Sequence, residues 1–178
     1  MAAIILYKGK LTERATGKII ETCWLPRIKS FPKREKMFTF PWHKVTESEE
    51  TPLIYELFAE GRKEVQGRIA FRVGGGVAFV DLIESAKLNR GPNKMFEGVG
   101  IHLFAIAMMQ SFNAGYNGYV TLEPKTIKEL IAYYESIGAV YSPITGYMTF
   151  YPEASLKIVK KCITGGEQYG TKEFMEYI

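Results

Sequence analysis

The chain has 178 residues and a mass of 20.2 kDa, which suits one domain with its own hydrophobic core. Hydrophobic residues make up 47% and charged residues 24%, which argues against disordered, collagen-like and disulfide-rich chains. No apolar run approaches the ~18–20 residues of a membrane span, and the short apolar stretch 3–6 does not form a signal peptide. We therefore expect a cytoplasmic protein in which Cys23 and Cys162 are reduced.

The net charge of +4 comes from the first 50 residues, and aromatic residues alternate with the basic ones over 24–42. Such a segment could bind nucleic acid or a phosphorylated ligand. The simpler interpretation is a solvated region whose aromatic side chains belong to the core, and the mild net charge favours it.

Strands are predicted at 3–7 and 19–24, and prolines then interrupt the chain. The pattern sharpens from residue 53, with strands at 53–59, 68–73 and 77–85, the last two joined by a triple-glycine hairpin. Residues 86–97 are polar and irregular.

A buried helix is predicted at 100–113, because its apolar residues lie nearly all round. A strand at 119–122 precedes a helix that Thr126 and Glu129 would begin with a capping box. Strands at 139–141 and 147–151 follow, then a helix opened by Pro152 and a short terminal segment after residue 166. This order predicts a mixed α/β sheet with helices packed on it.

Gly98-Val99-Gly100 lies between the irregular stretch and the buried helix. Glycines allow backbone N–H groups to approach a ligand closely, and a helix N-terminus adds free donors and a positive dipole end. The sequence therefore suggests a site for phosphate or pyrophosphate. It has neither the Lys-Ser/Thr of a Walker A loop nor the third glycine of a dinucleotide fingerprint, and a tight turn without a ligand is an equal alternative.

Asp81 and Glu84 are carboxylates on an otherwise apolar predicted strand. Their odd spacing predicts that they face opposite sides of the sheet. A carboxylate at a strand end beside a cleft is a natural general base. The alternative for Glu84 is a strand that is leaving the core.

Residues 133–139, Tyr-Tyr-Glu-Ser-Ile-Gly-Ala, together with the order strand, Gly-x-Gly loop, helix, strand, helix, resemble the GNAT superfamily of acyl-CoA-dependent N-acyltransferases over 53–152. In that superfamily an Arg/Gln-x-x-Gly-x-Gly/Ala loop binds the CoA pyrophosphate. Gly98 and Gly100 match it, and Met95 stands at the Arg/Gln position. The stretches 84–89 and 94–100 are similar to a bacterial subgroup with a Lys-x-Tyr-x-Gly-Val-Gly loop.

The resemblance implies a GNAT-like mixed, mostly antiparallel sheet with flanking helices. It also implies acetyl-CoA as co-substrate of an N-acetyltransferase that acts on a primary amine by direct transfer in a ternary complex. The cofactor-binding residues that it implies are Ile83, Ser85, Lys94, Gly98, Val99, Gly100 and Ile101. Lys94 would supply the positive charge that Met95 lacks.

The resemblance also assigns roles to three further side chains. Glu84 would take a proton from the amine. Tyr134 would protonate the departing thiolate, because the pKa of a tyrosine, ~10, is not far from that of a thiol, ~8.5. A core tyrosine is the alternative for Tyr134. Asn89 would bind the substrate or fix the loop.

We expect one domain over 1–178, with a divergent part at 1–50, a recognisable core at 53–152 and a C-terminal helix and tail at 153–178. The spacing of His43 and His102 suggests no metal site. The acceptor amine would belong to a small molecule or a protein, a homodimer stays open, and neither membrane nor nucleic acid is expected. Two alternative functions are a non-catalytic acyl-CoA-binding or interaction module and an acetyltransferase acting on an amine carried by RNA.

Overall fold

The computed structural model describes residues 4–169, which form one ten-stranded sheet and four helices. The strands are β1 (Ile4–Glu13), β2 (Ile19–Pro26), β3 (Leu53–Ala59), β4 (Gly67–Gly74), β5 (Val77–Ser85), β6 (Phe96–Glu97), β7 (Val120–Leu122), β8 (Val140–Tyr141), β9 (Met148–Phe150) and β10 (Ile163–Tyr169). The helices are α1 (Trp42–Val45), α2 (Val99–Asn113), α3 (Lys128–Ser136) and α4 (Pro152–Cys162). None of the helices in this part of the chain has the length and apolarity needed to cross a bilayer.

The strand order across the sheet is β10-β1-β2-β3-β4-β5-β7-β9-β8, and β6 pairs with β1. Among the strands of residues 4–169, only β5 and β7 pair in parallel, and α2 forms the crossover between them. The other pairs are antiparallel. The predicted fold class, a mixed and mostly antiparallel sheet with flanking helices, is therefore confirmed.

The core has two parts, one on each face of the sheet. α2 lies on one face and is apolar nearly all round, as its sequence predicts, so that the side chains of Leu103, Phe104 and Ile106 are fully buried. On the opposite face, Phe31, Phe38 and Trp42 from the N-terminal part bury a smaller apolar cluster. The predicted core role of the aromatic residues in this basic segment is thus confirmed for these three.

A β-bulge interrupts β5 at Asp81. On β4, Ala70 pairs with Leu82 and the next residue, Phe71, pairs with Val80, so Asp81 has no residue opposite it. A bulge of this kind bends its strand and shifts the alternation of side chains by one residue.

This bulge places Asp81 and Glu84 on the same face of the sheet. Asp81 accepts hydrogen bonds from Arg72, and Glu84 stands opposite Arg68 in the register. Arg68 and Arg72 are four residues apart on β4 and therefore share a face. The prediction that the two carboxylates face opposite sides is wrong, because it assumed an unbroken strand.

The capping box predicted at the start of α3 does not form. The helix begins at Lys128, its N-cap residue is Ile127, and no side chain caps it. A turn in which the Ile127 N–H bonds the Lys125 carbonyl, at 2.7 Å, precedes the helix. Thr126 therefore lies one position too early to reach the N-terminal donors of the helix.

Strand β10 was not expected, because Gly165 and Gly166 indicate a break in regular structure. In the structure, β10 pairs antiparallel with β1, and these glycines stand opposite Lys8 and Tyr7. The part of the predicted terminal segment after residue 169 lies outside the described residues. Between residues 53 and 162, the predicted strands and helices are all present.

Gly9 provides a test of how closely β1 packs against α4 and β2. A Cβ at this position would overlap the Cys162 carbonyl oxygen and lie 2.5 Å from the Trp24 ring. We expect Gly9→Ala to lower the free energy of unfolding by about 3 kcal/mol, the upper range for overpacking, as measured by urea denaturation. Gly74→Ala, where the added Cβ meets open space, is the matched control. Equal stability of the two variants would contradict the packing described here.

Candidate functional site

A cavity of about 290 Å³ lies at the N-terminus of α2, between β5 and α3. We call it the inner cavity. Every residue predicted to bind the cofactor lines it except Ile101, and so do Asn89 and Tyr134. The predicted residues that it brings together are Ile83, Ser85, Asn89, Lys94, Gly98, Val99, Gly100 and Tyr134.

The first turn of α2 presents free donors to this cavity. Gly98 is the N-cap residue and has a left-handed backbone with φ of 73°, which glycine adopts without strain. The helix has its first internal hydrogen bond from the His102 N–H to the Gly98 carbonyl. The N–H groups of Val99, Gly100 and Ile101 therefore have no acceptor within the helix. No acidic residue lies in this turn, so the positive dipole end is uncompensated by the helix itself.

His102 fixes this loop against β1. Its ring nitrogens lie 2.7 Å from the Gly98 carbonyl and 2.6 Å from the Lys10 carbonyl, and its ring stacks on Trp24. Burial lowers the pKa of His102, although both carbonyl contacts act in the opposite direction. The imidazole is thus a structural support for the turn that carries Gly98.

Ile101 lies on the other side of the helix N-terminus from the inner cavity. It lines a separate cavity of about 360 Å³, together with Lys10 and Lys161. Its predicted contribution is a backbone N–H, which belongs to the same helical turn as Val99 and Gly100.

The gap beside the inner cavity exists because β5 and β7 separate. Their parallel pairing runs from Ala78 opposite Val120 to Val80 opposite Leu122 and ends there. Strand β5 continues to Ser85, paired only with β4 in the described part of the chain. One edge of its last residues is therefore open.

The backbone at this open edge can bind an extended ligand. The Ala86 N–H donates to the Gln66 carbonyl on the β4 side. Because peptide groups alternate along a strand, those of Ile83 and Ser85 point away from β4 and into the gap. Arg90 Nε already donates to the Ser85 carbonyl at 2.7 Å. The family resemblance places the pantetheine arm at this edge, and that placement stays a prediction.

A second cavity of about 630 Å³, the outer cavity, adjoins the inner one. The two cavities share Ile83, Leu130, Tyr133 and Tyr134, so they form a continuous cleft through the gap between β5 and β7. Phe40 from the N-terminal part lines the outer cavity, and Lys125 Nζ lies 4.5 Å from the centre of its ring.

Tyr134 lies where the two cavities meet. Its side chain is 7% exposed and packs edge-on against Phe104, with ring centres 5.6 Å apart. Its hydroxyl forms no hydrogen bond with any residue that the structure describes. Burial, and then the neighbouring Tyr133, raise the pKa of Tyr134 to about 12. The phenol is thus protonated, unbonded and directed by its helix to the cleft.

Glu84 lines neither cavity and holds the N-terminal part against the sheet. Its carboxylate accepts hydrogen bonds from the Thr39 N–H at 2.6 Å, the Phe40 N–H at 3.2 Å and Trp42 Nε1 at 2.7 Å. Arg90 adds a salt bridge. Burial by itself would raise the pKa of Glu84, but these four donors outweigh it and the pKa is lowered. Glu84 is therefore a fully bonded, weakly basic carboxylate.

Arg68 is a second support for the N-terminal part, and sequence reasoning missed it. Its guanidinium lies 4.3 Å from the Phe31 ring centre and 3.9 Å from that of Phe38. It also pairs with Glu56 at 2.7 Å and Glu35 at 2.6 Å. Because these rings are buried around an arginine, they cannot stack on nucleic-acid bases. No local signal in the sequence indicates this contact, since the partners are 12 to 37 residues away in the chain.

Asn89 uses its side-chain amide within the fold. Nδ2 donates to the carbonyl and to the side-chain oxygen of Gln66, each at 3.0 Å, and Oδ1 accepts from the Phe96 N–H at 3.1 Å. These bonds support the loop-fixing role among the two that the sequence suggests.

Lys94 reaches the inner cavity, whereas Met95 packs against the main core. Lys94 Nζ lies 2.9 Å from Glu97, which also contacts Arg14 at 3.5 Å. The basic side chain near the N-terminus of α2 is therefore Lys94, which stands one residue before the Arg/Gln position of the family loop, where this chain has Met95. Among residues 4–169, no group of three or more His, Cys, Asp or Glu side chains is placed to hold a metal ion.

Comparisons with known proteins find similarity only among solved structures. No protein-family model matches the chain, and no curated protein matches it. A protein described as a streptothricin acetyltransferase of Bacillus anthracis strain Ames, in complex with acetyl coenzyme A, shares 16% identity at a TM-score of 0.47, over 84% of this chain and 86% of that one. A nourseothricin acetyltransferase shares 17% identity at a TM-score of 0.45, over 83% of this chain and 86% of that one.

A cAMP-binding acyltransferase of Mycobacterium smegmatis shares 16% identity at a TM-score of 0.43, over 90% of this chain and 55% of that one. By their descriptions, these neighbours are two acetyltransferases and an acyltransferase. The fold class of this chain rests on its own strand order and register.

The Glu84 contacts lead to a stability prediction. Glu84→Gln is expected to lower the free energy of unfolding by about 3 kcal/mol, because the neutral amide accepts weaker bonds and turns an NH2 group toward buried donors. The exposed Glu135 provides a matched control, Glu135→Gln, which should leave the urea midpoint unchanged.

The pH dependence of this difference has a definite sign. Since the folded pKa of Glu84 is lowered, its contribution is complete above the unfolded pKa of ~4.3 and is lost as the pH falls below it. The stability gap between wild type and Glu84→Gln should therefore shrink from pH 7 to pH 3. Equal stability of wild type and Glu84→Gln at pH 7 would show that Glu84 does not hold the N-terminal part against the sheet.

Proposed function

We propose that this chain is an acyl-CoA-dependent N-acyltransferase that moves an acetyl group from acetyl-CoA to a primary amine. One observation carries the proposal: an anion-binding helix N-terminus, an open strand edge and an unbonded phenol lie along one continuous cleft. These are the three elements that an extended thioester ligand with a diphosphate requires, and they occur in the order in which its parts are joined.

The residues of the inner cavity fit the diphosphate end of the ligand. The N–H groups of Val99, Gly100 and Ile101 would hold the pyrophosphate, and Lys94 would add charge at the same end. The open backbone of Ile83 would hydrogen-bond the pantetheine arm, as the next strand of the sheet would. The thioester then lies close to Tyr134.

The acetyl group is transferred when the amine nitrogen bonds to the thioester carbonyl carbon and the carbon–sulfur bond breaks. The nitrogen loses one proton to solvent water, and the sulfur departs as a thiolate that takes a proton from solvent. Tyr134 donates a hydrogen bond to the sulfur as negative charge develops there. Because burial raises its pKa to about 12, it is protonated near neutral pH. A donor that is already oriented in a dry site stabilises such a charge strongly.

The contacts of Glu84 support a positioning role in this reaction. It fixes Thr39, Phe40 and Trp42, and Phe40 is a wall of the outer cavity. Proton acceptance by Glu84, which the family resemblance implies, stays a prediction. If Glu84 is the base, Glu84→Gln should alter the pH profile of kcat. If Glu84 is a positioning residue, the variant should change KM and stability and leave the pH profile of kcat where it is.

The pyrophosphate site is tested by Gly100→Asp. The new carboxylate would stand about 4 Å from the phosphates, where like charges cost on the order of 4 kcal/mol near a protein surface, and its Cβ would lie 3.0 Å from the Tyr133 hydroxyl. We expect at least a ~100-fold loss of acetyl-CoA affinity by calorimetry. Gly74→Asp adds the same charge in open space and should bind normally. Unchanged affinity in folded Gly100→Asp would exclude this site.

Tyr134→Phe separates an enzyme from a binding module. The variant should fold and bind acetyl-CoA as the wild type does, because the lost hydroxyl has no partner in the described structure. The kcat for amine acetylation should fall ~10²-fold with the loss of a positioned donor. Tyr151→Phe, at an exposed position, is the control. A fall of less than threefold would remove Tyr134 from the mechanism, and acetyl-CoA binding with no turnover of any amine would favour the non-catalytic module.

A further inference from the structure

The outer cavity has an apolar interior and an acidic rim. Its apolar lining includes Val80, Leu82, Leu122, Ile127 and Leu130, and three carboxylates and one ammonium group also line it. At its inner end is Tyr134, which is 7% exposed and whose hydroxyl has no partner among the described residues. The apolar lining of the cavity therefore separates the Tyr134 hydroxyl, which has no partner, from the charged side chains at the rim.

The charges on the rim are not balanced by the protein. Asp81 is already neutralised, because Arg72 donates to both of its oxygens, at 2.7 and 3.0 Å. Glu123 and Glu129 form no ion pair with any residue that the structure describes, and Lys125 is the one basic residue that lines the cavity with them. With Asp81 set aside, two carboxylates and one ammonium leave the rim with one uncompensated negative charge.

Stabilisation of helix α3 is a simpler explanation for a carboxylate at this place, but it accounts for Glu129 only and not for Glu123. Glu129 lies in the first turn of α3, where a carboxylate favours the helix dipole. Glu123 lies before this helix and gains nothing from the dipole of its first turn. The two side chains converge on the same cavity from a loop and a helix, which helix stabilisation does not require.

We propose, on the basis of the proposed function, that the acceptor is a dication with an apolar spacer: a primary amine that reacts beside Tyr134 and a second ammonium group that binds Glu123 and Glu129. The reacting nitrogen must be neutral when it attacks. The remaining ammonium then matches the single uncompensated charge of the rim, while the spacer covers the apolar interior.

The test compares three acceptors of equal length: an α,ω-diamine, the corresponding amino alcohol and the corresponding amino carboxylate. We expect kcat/KM to fall in that order, with the diamine preferred over the amino alcohol by about tenfold, the size of two solvent-screened ion pairs. Higher salt should reduce this ratio. In the double variant Glu123→Gln/Glu129→Gln the ratio should fall to about one, whereas Glu135→Gln, on the outer surface of the same helix, should keep it.

The outcomes separate this inference from the function on which it rests. A preference that persists in the double variant, or a wild type that treats the three acceptors alike, would overturn the dication proposal and leave the acyltransferase intact. Failure of the wild type to bind acetyl-CoA, or to acetylate any of the three, would overturn both.

Discussion

The cleft depends on one buried carboxylate, that of Glu84. The residues between β2 and β3 contain only the four-residue helix α1, so hydrogen bonds within secondary structure cannot hold this segment in place. Two of its N–H groups and the indole of Trp42 donate to Glu84 instead. Without that acceptor, these donors would be buried and unsatisfied, at a cost of about 1–3 kcal/mol each. The same contacts place Phe40 over the outer cavity, so the stability of the fold and the shape of the site share one interaction.

The bulge at Asp81 explains why that carboxylate is available. Val80 faces the core beneath α2. Regular alternation from Val80 would turn Glu84 into this apolar core, where an ionised carboxylate has no partner. The extra residue instead turns Ile83 toward α2 and Glu84 toward the opposite face. The bulge also follows directly on the last residue of β5 that pairs with β7, and bulges bend their strands. The extra residue Asp81 thus lies where β5 and β7 begin to separate. It also sets the faces to which Ile83 and Glu84 point.

The difference between what the sequence predicts and what it misses follows from the range of the interactions. Between residues 53 and 162, the predicted elements have a local pattern, such as the alternation of β3 or the apolar surface of α2, and these predictions hold. The Gly98-Val99-Gly100 loop is equally local, since glycine and a helix start define its chemistry. By contrast, the N-terminal part is ordered by Arg68 and Glu84, which lie in strands far along the chain, and no window of sequence contains both sides of those contacts. The bulge is missed because an odd spacing indicates opposite faces only on a regular strand.

The cleft is polarised along its length, and this polarity explains the surroundings of Tyr134. The helix N-terminus makes one end positive, and Glu123 and Glu129 make the other end negative. Tyr134 lies between them among apolar side chains, and burial raises its pKa to about 12. A phenol that stays neutral between opposite charges can act as a hydrogen-bond donor. In low-dielectric surroundings that bond strengthens as charge appears on its acceptor, so the burial that makes Tyr134 a weak acid also makes it an effective donor to a departing thiolate.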